Sequence, residues 1–151
     1  MSVKLSTPIT NVDTSLKLAL GTKTDSVPAK EFIYLQGSDS VSVNDVCVYN
    51  SAYLATRAIA GSRGPLAVAQ GAVVGSRYGW FQIQGIASVD TNGAVAASKP
   101  LFLTAGSGKV DDTAVAGDLI LGMFSDTTGT AGAGVMPALL SYPWAGSLSV
   151  A

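Results

Sequence analysis

The chain is 151 residues long, carries a formal net charge of −1 and is only 13% charged, with a mean hydropathy of +0.38. That length suits one domain with or without an arm, and the charged share is about half that of ordinary soluble domains. The absence of histidine and the single cysteine, Cys47, exclude Ser-His-Asp triads, Cys-His pairs, imidazole metal sites, four-cysteine zinc sites and any intrachain disulfide.

Residues 1–30 read as an extended N-terminal arm. Leu16, Leu18 and Leu20 alternate with Lys17 and Ala19, which predicts a short strand ending at Gly21. Pro8 and Pro28 favour an extended path on either side of it. The flanking S-T-P-I-T-N and G-T-K-T-D-S-V-P are turn-formers with little to bury, so the segment is expected to wander or to be held by a neighbour. The opening M-S-V-K-L-S-T-P lacks the apolar run of a signal peptide. The best candidate for a membrane span, 66–74, is short and interrupted by Gln70 and Gly71. The expectation is a protein that folds in the cytoplasm of the cell that makes it and engages no membrane.

Residues 31–144 carry the pattern of an all-β domain, a small β-barrel or β-sandwich, followed by a tail at 145–151. Residues 32–36 (F-I-Y-L-Q) predict a strand closed by Gly37-Ser38-Asp39. S-V-S-V-N-D-V-C-V-Y-N predicts two short strands around a turn at Asn44-Asp45, with Cys47 a small buried hydrophobe. Residues 52–60 have the composition of a short helix, 61–65 of a loop and 66–70 of a strand. The central stretch is 78–89, Y-G-W-F-Q-I-Q-G-I-A-S-V. Phe81, Ile83, Gly85, Ala87 and Val89 fall on one side of it, and Trp80, Gln82, Gln84, Ile86 and Ser88 on the other. Such alternation predicts a long half-buried strand, and Trp80 on its more polar side requires a partner.

Beyond it, D-T-N-G predicts a type I′ hairpin turn. Residues 94–96, 100–104, 119–125 and 135–142 are further strands, and 127–134 is a flexible tip. Pro143 ends pairing, and Trp144 anchors the tail. A weak repeat at an offset of 54 sets N-D-V-C-V-Y at 44–49 against S-K-P-L-F-L at 98–103, and the strand at Phe81 against that at Val135. Chance similarity and duplication explain it equally well; duplication would imply two similar β-units closing one structure.

Candidate chemistry is sparse. Asp111, Asp112 and Asp118 could do acid/base work or hold calcium, but V-D-D-T-A-V-A-G-D reads as a solvated loop. A-G-S-G-K at 105–109 fails the phosphate-loop pattern, with Leu103 where a glycine is needed and Val110 where Ser or Thr is needed, and reads as a hairpin turn. No catalytic residue, cofactor or metal is expected. The basic residues are scattered singly and form no nucleic-acid footprint. Tyr78, Trp80, Tyr142 and Trp144 flank two strands, as core plugs or as interface anchors. With Pro8, Ile9, Leu16, Leu18 and Leu20 of the arm they are the candidate partner or subunit interface.

The run of short motifs resembles the head decoration, or cement, proteins of tailed bacteriophages. It includes L-G-T at 20–22, K-E-F-I-Y-L at 30–35, P-L-A-V-A-Q-G at 65–71, the central stretch itself, S-K-P-L-F-L-T-A-G-S-G-K-V, A-G-D-L-I-L-G-M and A-L-L-S-Y-P-W, covering roughly 20–144. The resemblance implies a β-barrel or β-sandwich protein, commonly a homotrimer, bound on the outer surface of the virion where major capsid protein subunits meet. It implies no enzymatic activity. On that reading residues 1–30 grip the capsid or a neighbour, and their removal leaves a folded β domain. The rival expectations are a carbohydrate-binding module, such as a virion adhesin using Trp80 or Trp144, and a hydrolase or isomerase working through the three aspartates.

Overall fold

The computed structural model describes residues 2–126 and 134–146; residues 127–133 of the predicted tip at 127–134 and the end of the tail at 147–151 lie outside the described residues, and Gly134 opens a strand. The central alternation forms the longest strand, β8 (Tyr78–Thr91). Before it come β1 (Ser2–Val3), β2 (Val12–Asp13), β3 (Lys23–Thr24), β4 (Glu31–Gly37), β5 (Val46–Tyr49), β6 (Leu54–Arg57) and β7 (Gly64–Ala69). After it come β9 (Pro100–Leu103), β10 (Val110–Asp111), β11 (Leu119–Ser125) and β12 (Gly134–Ala145). The fold is all-β: among the described residues there is no helix, and the twelve strands share one hydrogen-bonded network.

The pairing closes on itself twice. In the first circuit, β8 pairs antiparallel with β4, β4 parallel with β6, β6 antiparallel with β5, β5 antiparallel with β7, and β7 antiparallel with β8. In the second, β12 pairs antiparallel with β8, β8 parallel with β10, β10 antiparallel with β9, β9 antiparallel with β11, and β11 antiparallel with β12. The same five pairings thus occur twice in the same order and sense. The second half of β8 plays the part of β4, and β12 the part of the first half of β8. The parallel contact of Gly37 with Ala55 recurs as Thr91 with Val110, displaced by about the offset seen in the sequence. The duplicated reading of that offset therefore has a counterpart in the topology.

Each circuit encloses its own apolar cluster, and β8 contributes to both. Phe81 and Ile83 join Ile33, Leu35, Cys47, Ala55 and Ala67 in the first. Ala87 and Val89 join Leu101, Leu103, Val110, Met136 and Leu140 in the second. The change-over falls at Gly85, whose φ of 94° lies in the left-handed region and whose absent Cβ would collide with the carbonyl oxygen of Ala29. On β5 and β7, Cys47 and Ala67 face the first cluster while Val46, Leu66 and Val68 face the second, so the two circuits pack back to back.

Several local expectations change. Residues 52–60 contain strand β6 rather than a helix, because Leu54–Arg57 pairs on both edges, with β5 and β4, and those ladders outweigh local alanine propensity. Residues 41–43 form no strand; Asn44 takes a φ of 71° in the turn into β5. D-T-N-G closes no hairpin, since Thr91 pairs with Gly134 and Val110 instead. The 105–109 segment does close one, between β9 and β10. Pro143 lies inside β12: pairing with β8 stops at Ser141, but Trp144 and Ala145 go on to pair with β11 and β7. A bulge makes this possible, with Tyr142 at φ 48° near Gly122 at φ 76°.

Candidate functional site

Residues 2–30 fold back on their own chain. β3 pairs with β4, β2 pairs with the start of β8, and β1 pairs parallel with β3. The strand expected at 16–20 is absent, and the leucines act one by one. Leu18, Leu20 and Ile9, with Val3, Leu5 and Val27, cover a triad of Phe32, Tyr34 and Trp80 on the outer face of β4 and β8. Tyr34 stacks on Tyr78 with ring centroids 6.4 Å apart and meets Trp80 at 5.1 Å. Its hydroxyl donates to Asp13 Oδ2 at 2.6 Å, and burial together with that carboxylate pushes the phenol well above its ordinary range. The partner that Trp80 requires is therefore the arm of the same molecule.

This divides the nine candidate interface residues. Ile9, Leu18, Leu20, Tyr78 and Trp80 are engaged inside the chain, and Trp80 is only 3% exposed, so it cannot anchor a second chain while the arm is down. The carbohydrate platform expected at Trp80 is ruled out in this arrangement for the same reason. Pro8 is exposed at a turn in which its carbonyl accepts from the Asn11 amide, and Leu16 is exposed. Tyr142 and Trp144 are about half exposed, at the end of β12. The Tyr142 hydroxyl donates to Glu31 Oε2 at 2.6 Å, which raises its pKa. Trp144 walls a groove of about 650 Å³ that also holds Tyr49, Tyr53, Asn50 and Arg63.

The aspartates do not converge on a reacting centre. Asp118 Oδ1 accepts from the Gly61 amide at 2.8 Å, Asp112 Oδ2 from the Ala96 amide at 2.9 Å, and Asp111 Oδ1 from the Thr113 amide at 3.0 Å. Each holds a different loop. Among the described residues no cluster of three acidic or sulfur ligands is placed to hold a metal ion. One carboxyl with altered acidity lies elsewhere, at Asp45, where the two circuits meet. Burial pushes it up to about 6, and neighbouring Asp90 adds to the rise, while Arg57 and the Ser42 amide oppose it.

Sequence reasoning passed over the outer face of the second circuit. Ile86, Leu139 and Phe124 stand in register on β8, β12 and β11, with Pro100 of β9 next in the row. A second row runs Pro65, Trp144, Leu121 across β7, β12 and β11. The signal was there in L-I-L-G-M-F-S and G-V-M-P-A-L-L-S-Y, whose runs are apolar on both faces where one face would suffice for a core.

No protein-family model matches the chain, and no curated protein matches it in sequence. Its fold does have a solved counterpart. The crystal structure of the head fiber gp8.5 N base in bacteriophage phi29 superposes with a TM-score of 0.57 at 10% identity, covering 75% of this chain and 95% of that one. At that identity the likeness is one of fold.

Proposed function

We propose that this chain is a structural component of a tailed-phage virion, a non-enzymatic decoration protein that binds the outer surface of the head through the major capsid protein and works as a homotrimer. The observation that carries the reading is the shared fold with the phi29 head fiber base over three quarters of the chain. The sequence resemblance to head decoration proteins points independently to the same place. The chemistry agrees with a binding role: the carboxylates are engaged in holding loops, while large apolar side chains stand exposed on pleated faces. Three copies with modest individual affinity for a shell combine through avidity, which needs neither cofactor nor reaction. Mixing the purified protein with empty phage heads and imaging them tests it. Regular added density on the shell is expected; heads left bare at saturating protein would overturn it.

A second reading is favoured by the groove beside Trp144, where two tyrosines, Asn50 and Arg63 give a sugar ring both stacking faces and polar contacts. Glycan binding there would quench or shift the fluorescence of half-exposed Trp144, while buried Trp80 would report little. A glycan panel leaving the emission unchanged removes this alternative.

A further inference from the structure

We propose that the bare outer face of β8, β11 and β12 is where copies of this chain meet, the rows Ile86–Leu139–Phe124 and Trp144–Leu121 packing against a second copy. The inference deepens the reading above, since it names the surface through which a decorating assembly would form.

It starts from the duplication. Phe32 on β4 and Ile86 on β8 occupy equivalent places in the two circuits, each on the outward side of the strand that pairs both antiparallel and parallel. In the first circuit this face is aromatic, Phe32, Tyr34 and Trp80, and the arm seals it: Phe32 is 1% exposed. In the second circuit the face is apolar as well, yet no described segment of the chain lies over it. Ile86 is 38% exposed, Leu139 48%, Phe124 47% and Leu121 41%. Within each row these side chains are cross-strand neighbours, so each row makes an apolar strip rather than scattered residues.

Its chemistry selects the occupant. No charged residue stands in either row; Asp90, opposite Val135, and Glu31, bonded to Tyr142, border the first row, and Arg63 and Lys23 lie beside Trp144. A charged group set over the rows themselves would lose hydration with no opposite charge in the row to pair against. The surface that fits without such loss is another flat, uncharged, apolar β face, and a neighbouring copy supplies one when its Trp144–Leu121 row meets the Ile86–Leu139–Phe124 row, a head-to-tail contact of the kind that closes a three-fold ring.

The test is mass measurement by sedimentation from about 1 to 100 µM for the full chain, for Phe124→Glu and Leu139→Glu, and for the controls Ile59→Glu and Val74→Glu, whose exposed apolar side chains lie elsewhere. Circular dichroism on each variant establishes that it is folded. The expected result is an assembled parent, assembled controls and monomeric Phe124→Glu and Leu139→Glu, with self-affinity reduced at least tenfold. A parent that stays monomeric throughout overturns the proposal, and so does a pair of folded variants that keep the parent's mass. Should either variant fail to fold, Leu139→Ser replaces it and is read in the same way. Head binding is scored separately. Self-association without head binding defeats the decoration reading and leaves this one standing; monomers that bind heads through Leu139 assign the face to the capsid and overturn this one.

Discussion

The outer side of β8 is covered along its first half and bare along its second. Trp80 and Ile86 project to the same side of one strand, yet the first lies beneath the arm and the second faces outward. The two circuits have the same strand order and the same pairing senses, so topology does not account for the difference. What differs is that residues 2–30 were available to fold over one face and not the other. A repeated strand topology with one described arm leaves one face sealed and, among the described residues, its counterpart open.

The contrast is broken most severely at the sealed face. Trp80→Ala removes the largest member of the Phe32–Tyr34–Trp80 triad and leaves a cavity between arm and sheet, with an expected cost of about 3–5 kcal/mol. Removal of residues 1–30 exposes all three aromatics together, so the truncated chain is expected to aggregate or lose its cooperative urea transition. That reverses the expectation of an independently folded remainder. A truncated chain with the parent's denaturation midpoint would show the arm to be a passenger.

The next largest effect falls at the change-over between the circuits. Gly85→Ala places a Cβ against the Ala29 carbonyl at a φ that only glycine takes without strain, for an expected loss of about 2–3 kcal/mol in urea denaturation. Because β8 feeds both apolar clusters, one transition is expected to shift as a whole. Two separated transitions would mean that the circuits unfold independently.

A smaller effect tests the seam. Asp45 holds its proton up to about pH 6 in the folded chain but releases it near 3.8 when unfolded. The folded state therefore binds more protons between these values. Its contribution is full below about pH 4 and is lost as pH rises through 6. With partial solvent screening, the loss is about 1–2 kcal/mol. Asp45→Asn keeps an acceptor for the Ser42 amide, removes the carboxyl pair with Asp90, and is expected to be more stable than the parent at pH 7.5 and no more stable at pH 4. Parallel stability profiles for the two proteins across that range would place the proton elsewhere.

The parts of this fold legible in the sequence are those whose signal is local. Alternation located β8, and short apolar runs between turn residues located β4, β9 and β11. It misplaced the arm's strands, since β1, β2 and β3 are two residues long and exist only by pairing with other strands, β2 with the distant β8. Alanines in 52–60 suggested a helix until two neighbouring ladders supplied the opposing term. Trp80 was recognisably out of place on a polar side, but nothing local said that Ile9, Leu18 and Leu20 would reach it. The open face was hidden for the opposite reason: its residues look like core residues, and only the ladder registers show that no described segment covers them.

The smallest expected effect is also the sharpest on the comparison. Leu139 lies on the open face, paired with Ile86 and Phe124, and is about half exposed. In dilute solution, where copies are apart, Leu139→Ala removes little buried surface and is expected to cost about 0.5 kcal/mol or less, an order of magnitude below Trp80→Ala. At higher concentration the two faces should converge in kind. If a second copy covers the open face as the arm covers the sealed one, mass action stabilises the parent and not the variant, so the difference between their midpoints widens with protein concentration. For Trp80→Ala no such widening is expected, because its cover is tethered to the same chain. A Leu139→Ala cost that is small and independent of concentration would leave the face open in solution.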